Sequence, residues 1–350
     1  MSAAHRHAKQ LLTGEIGGKR ALRALMQRVA LQLPYFDALR WLGWWSRQPA
    51  VANRLYAEER DLFYRFVGDI GSPVESWEQR FRTNLFANCI GQCMSTVIVR
   101  QEGIFPDRLT AWSHSHYRFA RTLAEEAQLR PGGDSARLIA FTGLEHLAEA
   151  STAGNGLILV TYHGAVTFIA SPLLTLYGGI GSIQVVSAQR AWKAAVRQSS
   201  ADRSEVAERW QAVKASELLA ARRHLSDRGA IQFVIDGLSS AHDGVDRTIF
   251  GYAHRIVAGL SSLAKATNSP VLPLMNTIDP SGQVGMEFYP RFRLPAPAAR
   301  EDEWLASMAD QCALFLQASW RQAPESLSWA PSGGTICCQT WISPEERIGN

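Results

Sequence analysis

Gly156-Leu-Ile-Leu-Val-Thr-Tyr-His163 is the stretch that decides how this chain is read. Leu157 to Val160 form a short, unbroken apolar run, entered through the turn residues Ala153-Gly-Asn-Gly156. A run of that length bounded by glycine reads as a strand buried on both faces, the kind found inside sheets covered by helices. His163 closes the run, which places it at the rim of the sheet, where open α/β folds receive their ligands. Residues 164 to 176 then read as a helix, with Pro172 as a kink point.

Working outward, the same alternation continues downstream. Ile183 to Ser187 reads as a second strand and Glu205 to Ser226 as a long polar-faced helix. Ala230-Ile-Gln-Phe-Val-Ile-Asp236 is a third strand, Val257 to Thr267 a helix and Val271 to Thr277 a fourth strand. Helices separating apolar strands predict an α/β protein with a layered core. Upstream, Arg130-Pro-Gly-Gly-Asp134 is a turn-rich break. It divides a helical N-terminal region, 1–130, from an α/β domain, 131–350. Leu22, Leu25, Met26, Val29 and Leu33 form one helical stripe in the first region. Leu39, Trp41, Leu42, Trp44 and Trp45 follow, with Arg40, Arg47, Lys19, Arg20, Arg23 and Arg28 nearby. Tryptophans beside arginines suit a helix lying on a membrane surface, and they equally suit packing against the rest of the protein. Both readings stay open. No internal repeat or low-complexity tract is present.

Composition narrows the function classes. The chain has 350 residues, 46% of them hydrophobic and 19% charged, which describes an ordered protein with a sizeable core. A net charge of +4 permits contact with anionic lipid or an acidic carrier protein but does not mark a nucleic-acid binder. Cys89, Cys93, Cys312, Cys337 and Cys338 make no disulfide framework in a chain this long. Cys89 and Cys93 would share a helix face, as buried core residues. The N-terminus shows no secretory pattern, and no stretch reaches the roughly 18 apolar residues a spanning helix needs. The expected location is the cytoplasm, with peripheral contact at the inner face of the inner membrane left open. His114-Ser-His116 reads as a polar helix face rather than a metal site. Asp236, His242, Asp243 and Asp246 would share a loop able to hold a divalent cation, although nothing else calls for one. Gly178-Gly-Ile-Gly181 lacks a preceding strand and so is no dinucleotide loop. No G-x-S-x-G elbow appears, which argues against an ordinary α/β-hydrolase.

A histidine at a sheet rim, before a helix N-terminus that disfavours the imidazolium, can act as a neutral general base. The blocks around it carry a resemblance. Gly143-Leu-Glu-His, the spacer and Gly156 to His163 resemble the first block of the lysophospholipid acyltransferase superfamily, closest to the bacterial lipid A lauroyl and myristoyl acyltransferases. Val185-Val-Ser-Ala-Gln-Arg190 is similar to their second block, and Gly229 to Asp236 to their third. Arg247-Thr-Ile-Phe-Gly251, then a helix, then Ser269-Pro-Val-Leu-Pro-Leu keep the family order, over roughly residues 140–330. The resemblance implies a layered α/β/α core with a mixed sheet, like that of glycerol-3-phosphate acyltransferase. It implies transfer of a fatty acyl group from an acyl carrier protein or coenzyme A thioester to a hydroxyl or amine, on a lipid, a glycolipid or a carrier-tethered intermediate, without a cofactor. His163 would be the base. Arg190 and Arg247 would hold phosphates or polarise the carbonyl, the alternative being ordinary ion-paired arginines. Asp236 would shape the donor or acceptor pocket, the alternative being a turn residue before Gly237. Tyr162, Thr167, Phe168 and Arg247 are the candidate substrate contacts.

Two departures from the family stand out. Its motif has an acid five positions after the histidine, where this chain has Phe168. Either a carbonyl, a hydroxyl such as Thr167 or a distant carboxylate orients His163, or turnover is weakened. Phe168→Glu should raise activity if the missing acid is the limitation, whereas a fall would show a packing or acyl-binding role for Phe168. The second departure is Trp329-Ala-Pro-Ser-Gly-Gly-Thr335, where the lipid A enzymes carry a basic run. Two rival readings follow: a scaffold that keeps the acyl site but not turnover, and a thioester hydrolase.

Overall fold

The computed structural model describes residues 19–30, 35–102, 139–152, 155–165, 183–186, 218–236, 244–279 and 283–328, with Leu33, Thr167, Leu174 and Ser281 besides. Eight strands lie among them: β1 (Ile139–Thr142), β2 (Leu157–Thr161), β3 (Ile183–Val186), β4 (Ala230–Val234), β5 (Gly244–Ile249), β6 (Tyr252–Val257), β7 (Val271–Ile278) and β8 (Val284–Phe288). Six form one sheet in the order β1-β8-β7-β2-β4-β3, while β5 and β6 form a separate hairpin. Only β7 and β8 pair antiparallel within the large sheet, so the sheet is mixed, with a parallel centre. β2 sits between β7 and β4, and all five of its residues are buried. That is why Leu-Ile-Leu-Val reads as an unbroken apolar run rather than an alternation. Gly156 lets this strand start in a tight place: a Cβ there would lie 2.4 Å from Leu225 O and 2.7 Å from Gly229 O.

Helices cover this sheet. α1 (Lys19–Ala30), α2 (Tyr35–Arg47), α3 (Ala57–Asp69) and α4 (Trp77–Glu102) form the N-terminal part. α5 (Leu144–Ser151), α6 (Ala258–Thr267) and α7 (Glu301–Gln322) belong to the α/β part. On α7, Trp304, Met308, Cys312, Phe315, Leu316 and Trp320 are buried at three- and four-residue steps. The Trp320 ring meets Phe66 of α3 edge-on, 6.1 Å between centroids. Buried side chains from α1 to α7 therefore belong to one continuous cluster.

In the tryptophan-rich helix α2, Leu39, Leu42 and Trp45 are buried, and Trp45 is only 1% exposed. Trp41 and Trp44 are half-buried and stacked at 5.1 Å. Packing accounts for Trp45. Among the described residues, no helix is long and apolar enough to cross a membrane.

The four strands read from sequence are present within a residue or two. β1, β8 and the β5–β6 hairpin are additional. β8 alternates buried and half-buried residues, as an antiparallel strand near a sheet edge does, and its five residues include a glycine and a glutamate. The hairpin carries Asp246 and Arg247 on a largely unburied strand, which erases the apolar signal. Its two-residue turn is Phe250-Gly251, with φ of +50° and +86°. Asp246 therefore lies in β5 and not in a loop with Asp236, while His242 and Asp243 lie outside the described residues. Among the described residues no cluster of three potential metal ligands occurs.

Candidate active site

The parallel register of β2 on β4 builds the site. Leu157 faces Ala230, and the pairing runs in step to Thr161 opposite Val234. The Ile235 N–H donates to Thr161 O at 2.9 Å, carrying the ladder past the last strand pair. Two residues beyond that pair, the step count brings His163 opposite Asp236. Directly registered residues point to the same face of a sheet. The main-chain N–H of His163 donates to both Asp236 oxygens, at 2.8 and 3.0 Å, and ring Nδ1 lies 2.8 Å from Oδ1. A carboxylate only accepts, so Nδ1 carries the proton and Nε2 holds the lone pair. The Asp236 side chain has no exposed surface, whereas that of His163 is 37% exposed. The accessible side of the ring is thus the Nε2 side, and no hydrogen bond reaches Nε2 among the described residues.

Opposing influences act on the imidazole. Burial, the largest single one, lowers its pKa; the charge of Asp236 and the hydrogen bond to it together outweigh burial, so the net shift is upward. This differs from the neutral-ring bias that a following helix N-terminus would impose.

The loop after His163 is fixed by a hydroxyl within it and by a neighbouring segment. The Thr167 hydroxyl accepts from the Gly164 N–H at 2.8 Å and donates to Tyr162 O at 2.7 Å, so it closes the turn instead of meeting the ring. Tyr162 is fully buried, its ring 6.1 Å from that of Phe315. Residues 324–328, after α7, form a strap along the loop. Ala165 N donates to Ser326 O at 2.9 Å, Ser328 N donates to His163 O at 3.0 Å, and Gly164 bridges Leu327 in antiparallel fashion.

Arg247 has no hydrogen bond or ion pair to this loop among the described residues. Its guanidinium is ion-paired with Asp310 of α7 and donates to Asp246 O at 3.0 Å and Ala306 O at 3.2 Å. Arg190 and Phe168 lie outside the described residues, as do His114, His116, Gly178 to Gly181 and the Trp329 segment. Sequence reading named Asp236 but not its partner, because only the register of two strands 73 positions apart reveals it.

Residues 106–329 match the model of the bacterial lipid A biosynthesis acyltransferase family. The chain belongs to this family. No curated protein matches the sequence. In this acyltransferase the histidine just past the end of β2 therefore lies against an aspartate just past the end of β4, the neighbouring strand in the sheet.

Proposed function

We propose that this acyltransferase moves a fatty acyl group from an acyl carrier protein or coenzyme A thioester to a hydroxyl or amine, with His163 as general base. One observation carries the reading: a half-exposed imidazole whose Nδ1–H is held 2.8 Å from a fully buried carboxylate. In such a dyad the acid fixes the tautomer and stabilises the imidazolium formed in the reaction. Nε2 removes the proton from the acceptor O–H or N–H as that atom attacks the thioester carbonyl. The tetrahedral adduct collapses, the C–S bond breaks, and Nε2–H returns the proton to the departing sulfur. An ester or amide and a free thiol result, with no net gain or loss of protons and no covalent enzyme intermediate.

Asp236 is assigned to orientation rather than to pocket shape. Arg190 and Arg247 are the cations proposed to meet a phosphate or the thioester oxygen. For Arg247 this means exchanging Asp310, a half-exposed surface pair worth about 1 kcal/mol or less. Tyr162 and Thr167 support the loop, and Phe168 is assigned to the acyl chain. The lipid A family suggests a glycolipid acceptor, although Trp329-Ala-Pro-Ser-Gly-Gly-Thr335 lacks the cations that would favour an acidic sugar. A lipid or a carrier-tethered hydroxyl or amine therefore falls within the proposal. Location on the cytoplasmic membrane surface, by peripheral contact, completes it.

The test is thiol release from lauroyl-coenzyme A and from lauroyl-loaded acyl carrier protein with a bacterial lipid extract, products being followed by mass spectrometry. His163→Ala should lower transfer by about 10²- to 10⁴-fold. Transfer undiminished in that variant overturns the base assignment, and free lauric acid as the sole product would make the protein a hydrolase.

A further inference from the structure

His163 is pinned on both sides of its main chain: Asp236 takes its N–H, and Ser328 of the strap donates to its carbonyl. The Asp236 side of this clamp follows from the sheet register. The strap side needs its own anchor, because residues 324–328 belong to no strand of the large sheet and consist of one 3₁₀ turn and a short extension.

That anchor comes from α4. Asn84 is 2% exposed, and its Nδ2 lies 3.0 Å from Glu325 O and 2.8 Å from Leu327 O. An amide NH₂ has two hydrogens, and both are spent on the strap. One turn along the helix, Asn88 Nδ2 lies 3.0 Å from the same Leu327 O and 2.9 Å from Asn84 O. Leu327 O thus receives two amide donors, its full capacity. At the outer end of the strap, Arg80 and Glu325 form an ion pair at 2.8 Å. Arg80, Asn84 and Asn88 are four residues apart, so they stand on one face of α4. The residue type is selective. A leucine would leave Glu325 O without its donor and Leu327 O with one of its two, an aspartate would set oxygen against oxygen, and a lysine would bury a charge.

We propose that Asn84 is a positioning residue for acyl transfer: through the strap it fixes the main chain that carries the His163 ring. The proposal rests on His163 being the base and gives the N-terminal helices a task in the chemistry. Asn84 touches no substrate, so its loss acts on turnover and leaves binding nearly intact. A small displacement of a reacting group can lower rate by about 10²-fold.

The test compares the full-length protein with Asn84→Asp, which keeps the shape and removes both donors. The expected result is a fall in kcat of about 10- to 100-fold with KM within about threefold of wild type. A readout free of substrate accompanies it. Nitrogen-15 histidine spectra of the wild type should show His163 with its proton on Nδ1 and titrating above an ordinary imidazole. In Asn84→Asp the titration should move back toward the ordinary value as the Asp236 contact loosens. Val67→Ala, which opens a cavity at a fully buried position of α3, is the stability control and should change neither kcat nor the titration. Should Asn84→Asp fold poorly, the half-buried ion pair at the outer end of the strap gives a second route. Arg80→Glu and Glu325→Arg should each lower kcat, and the double exchange should restore it. A folded Asn84→Asp protein with wild-type kcat and titration refutes the positioning role while His163→Ala remains inactive. If His163→Ala stays active, the base assignment fails and this inference with it.

Discussion

Asp236→Asn exchanges one carboxylate oxygen for an NH₂ group and bears on every step proposed for the ring. In the structure Oδ1 accepts from both the His163 N–H and Nδ1, each at 2.8 Å, and Oδ2 lies 3.0 Å from the same N–H. An amide can turn two ways in this place. With its oxygen at the Oδ1 position, the ring keeps its hydrogen bond, but the NH₂ faces the main-chain N–H, donor against donor. With the NH₂ at the Oδ1 position, it opposes both donors and drives the ring to the Nε2–H tautomer, which cannot take a proton from the acceptor. Both arrangements lose the negative charge that stabilises the imidazolium. Where a comparable acid is neutralised in a Ser-His-Asp triad, the loss is about 10⁴-fold, equivalent to about 5.4 kcal/mol of transition-state stabilisation. The mixture of orientations makes that the upper end here, with about 10² as the lower. The assay is initial-rate thiol release from lauroyl thioester across pH 5 to 9. The wild-type acidic limb should lie above the ordinary imidazole range, because Asp236 raises the His163 pKa. In Asp236→Asn both raising influences weaken and burial remains, so the residual activity should have its limb at lower pH. An unaltered rate with an unaltered limb would refute the dyad.

Stability should show the opposite sign to activity. The protonated His163–Asp236 pair adds stability that is fully present below the ordinary imidazole pKa and is lost as pH rises through the raised folded value; denaturant midpoints of wild type and His163→Gln should converge across that window. Phe168→Glu should not raise transfer, since Nδ1 already has its acid; a gain in kcat would mean that Asp236 is not the working partner. Trp45→Ala should lower stability by about 3 to 5 kcal/mol, read from denaturant unfolding, because the ring is almost fully enclosed. Trp41→Ala with Trp44→Ala should instead leave folding nearly intact and reduce sedimentation with anionic liposomes, an outcome that unaltered sedimentation would exclude.

Legibility followed the range of the interactions. β2 announced itself because it is buried on both faces, and the histidine at its end needed no tertiary information. Asp236 was visible as the last residue of an apolar run, yet its task was not. Within the sequence motif the acid is missing at Phe168; in space it comes from β4, and only the pairing of Thr161 with Val234 brings it alongside. Asn84 left no trace in the sequence at all, because its partners lie 241 and 243 positions away and are main-chain carbonyls, which have no identity in a one-dimensional string. The hairpin escaped for a different reason: β5 is polar and largely unburied, held by the Phe250-Gly251 turn and the Arg247–Asp310 tie rather than by an apolar stripe. The tryptophan helix was ambiguous because one stripe serves two purposes. Trp45 fills the interior, and Trp41 and Trp44 sit at its edge.

The strap has a consequence for the order of events during synthesis. Every described strand of the large sheet has been made once residue 288 is joined, and at that point His163 and Asp236 can already face one another. The carbonyl of His163 still waits for Ser328, and the residue before it, Leu327, is held by Asn84 and Asn88 of α4. A nascent polypeptide can therefore complete this sheet before α7 and residues 324–328 have emerged to close the main-chain contact at His163.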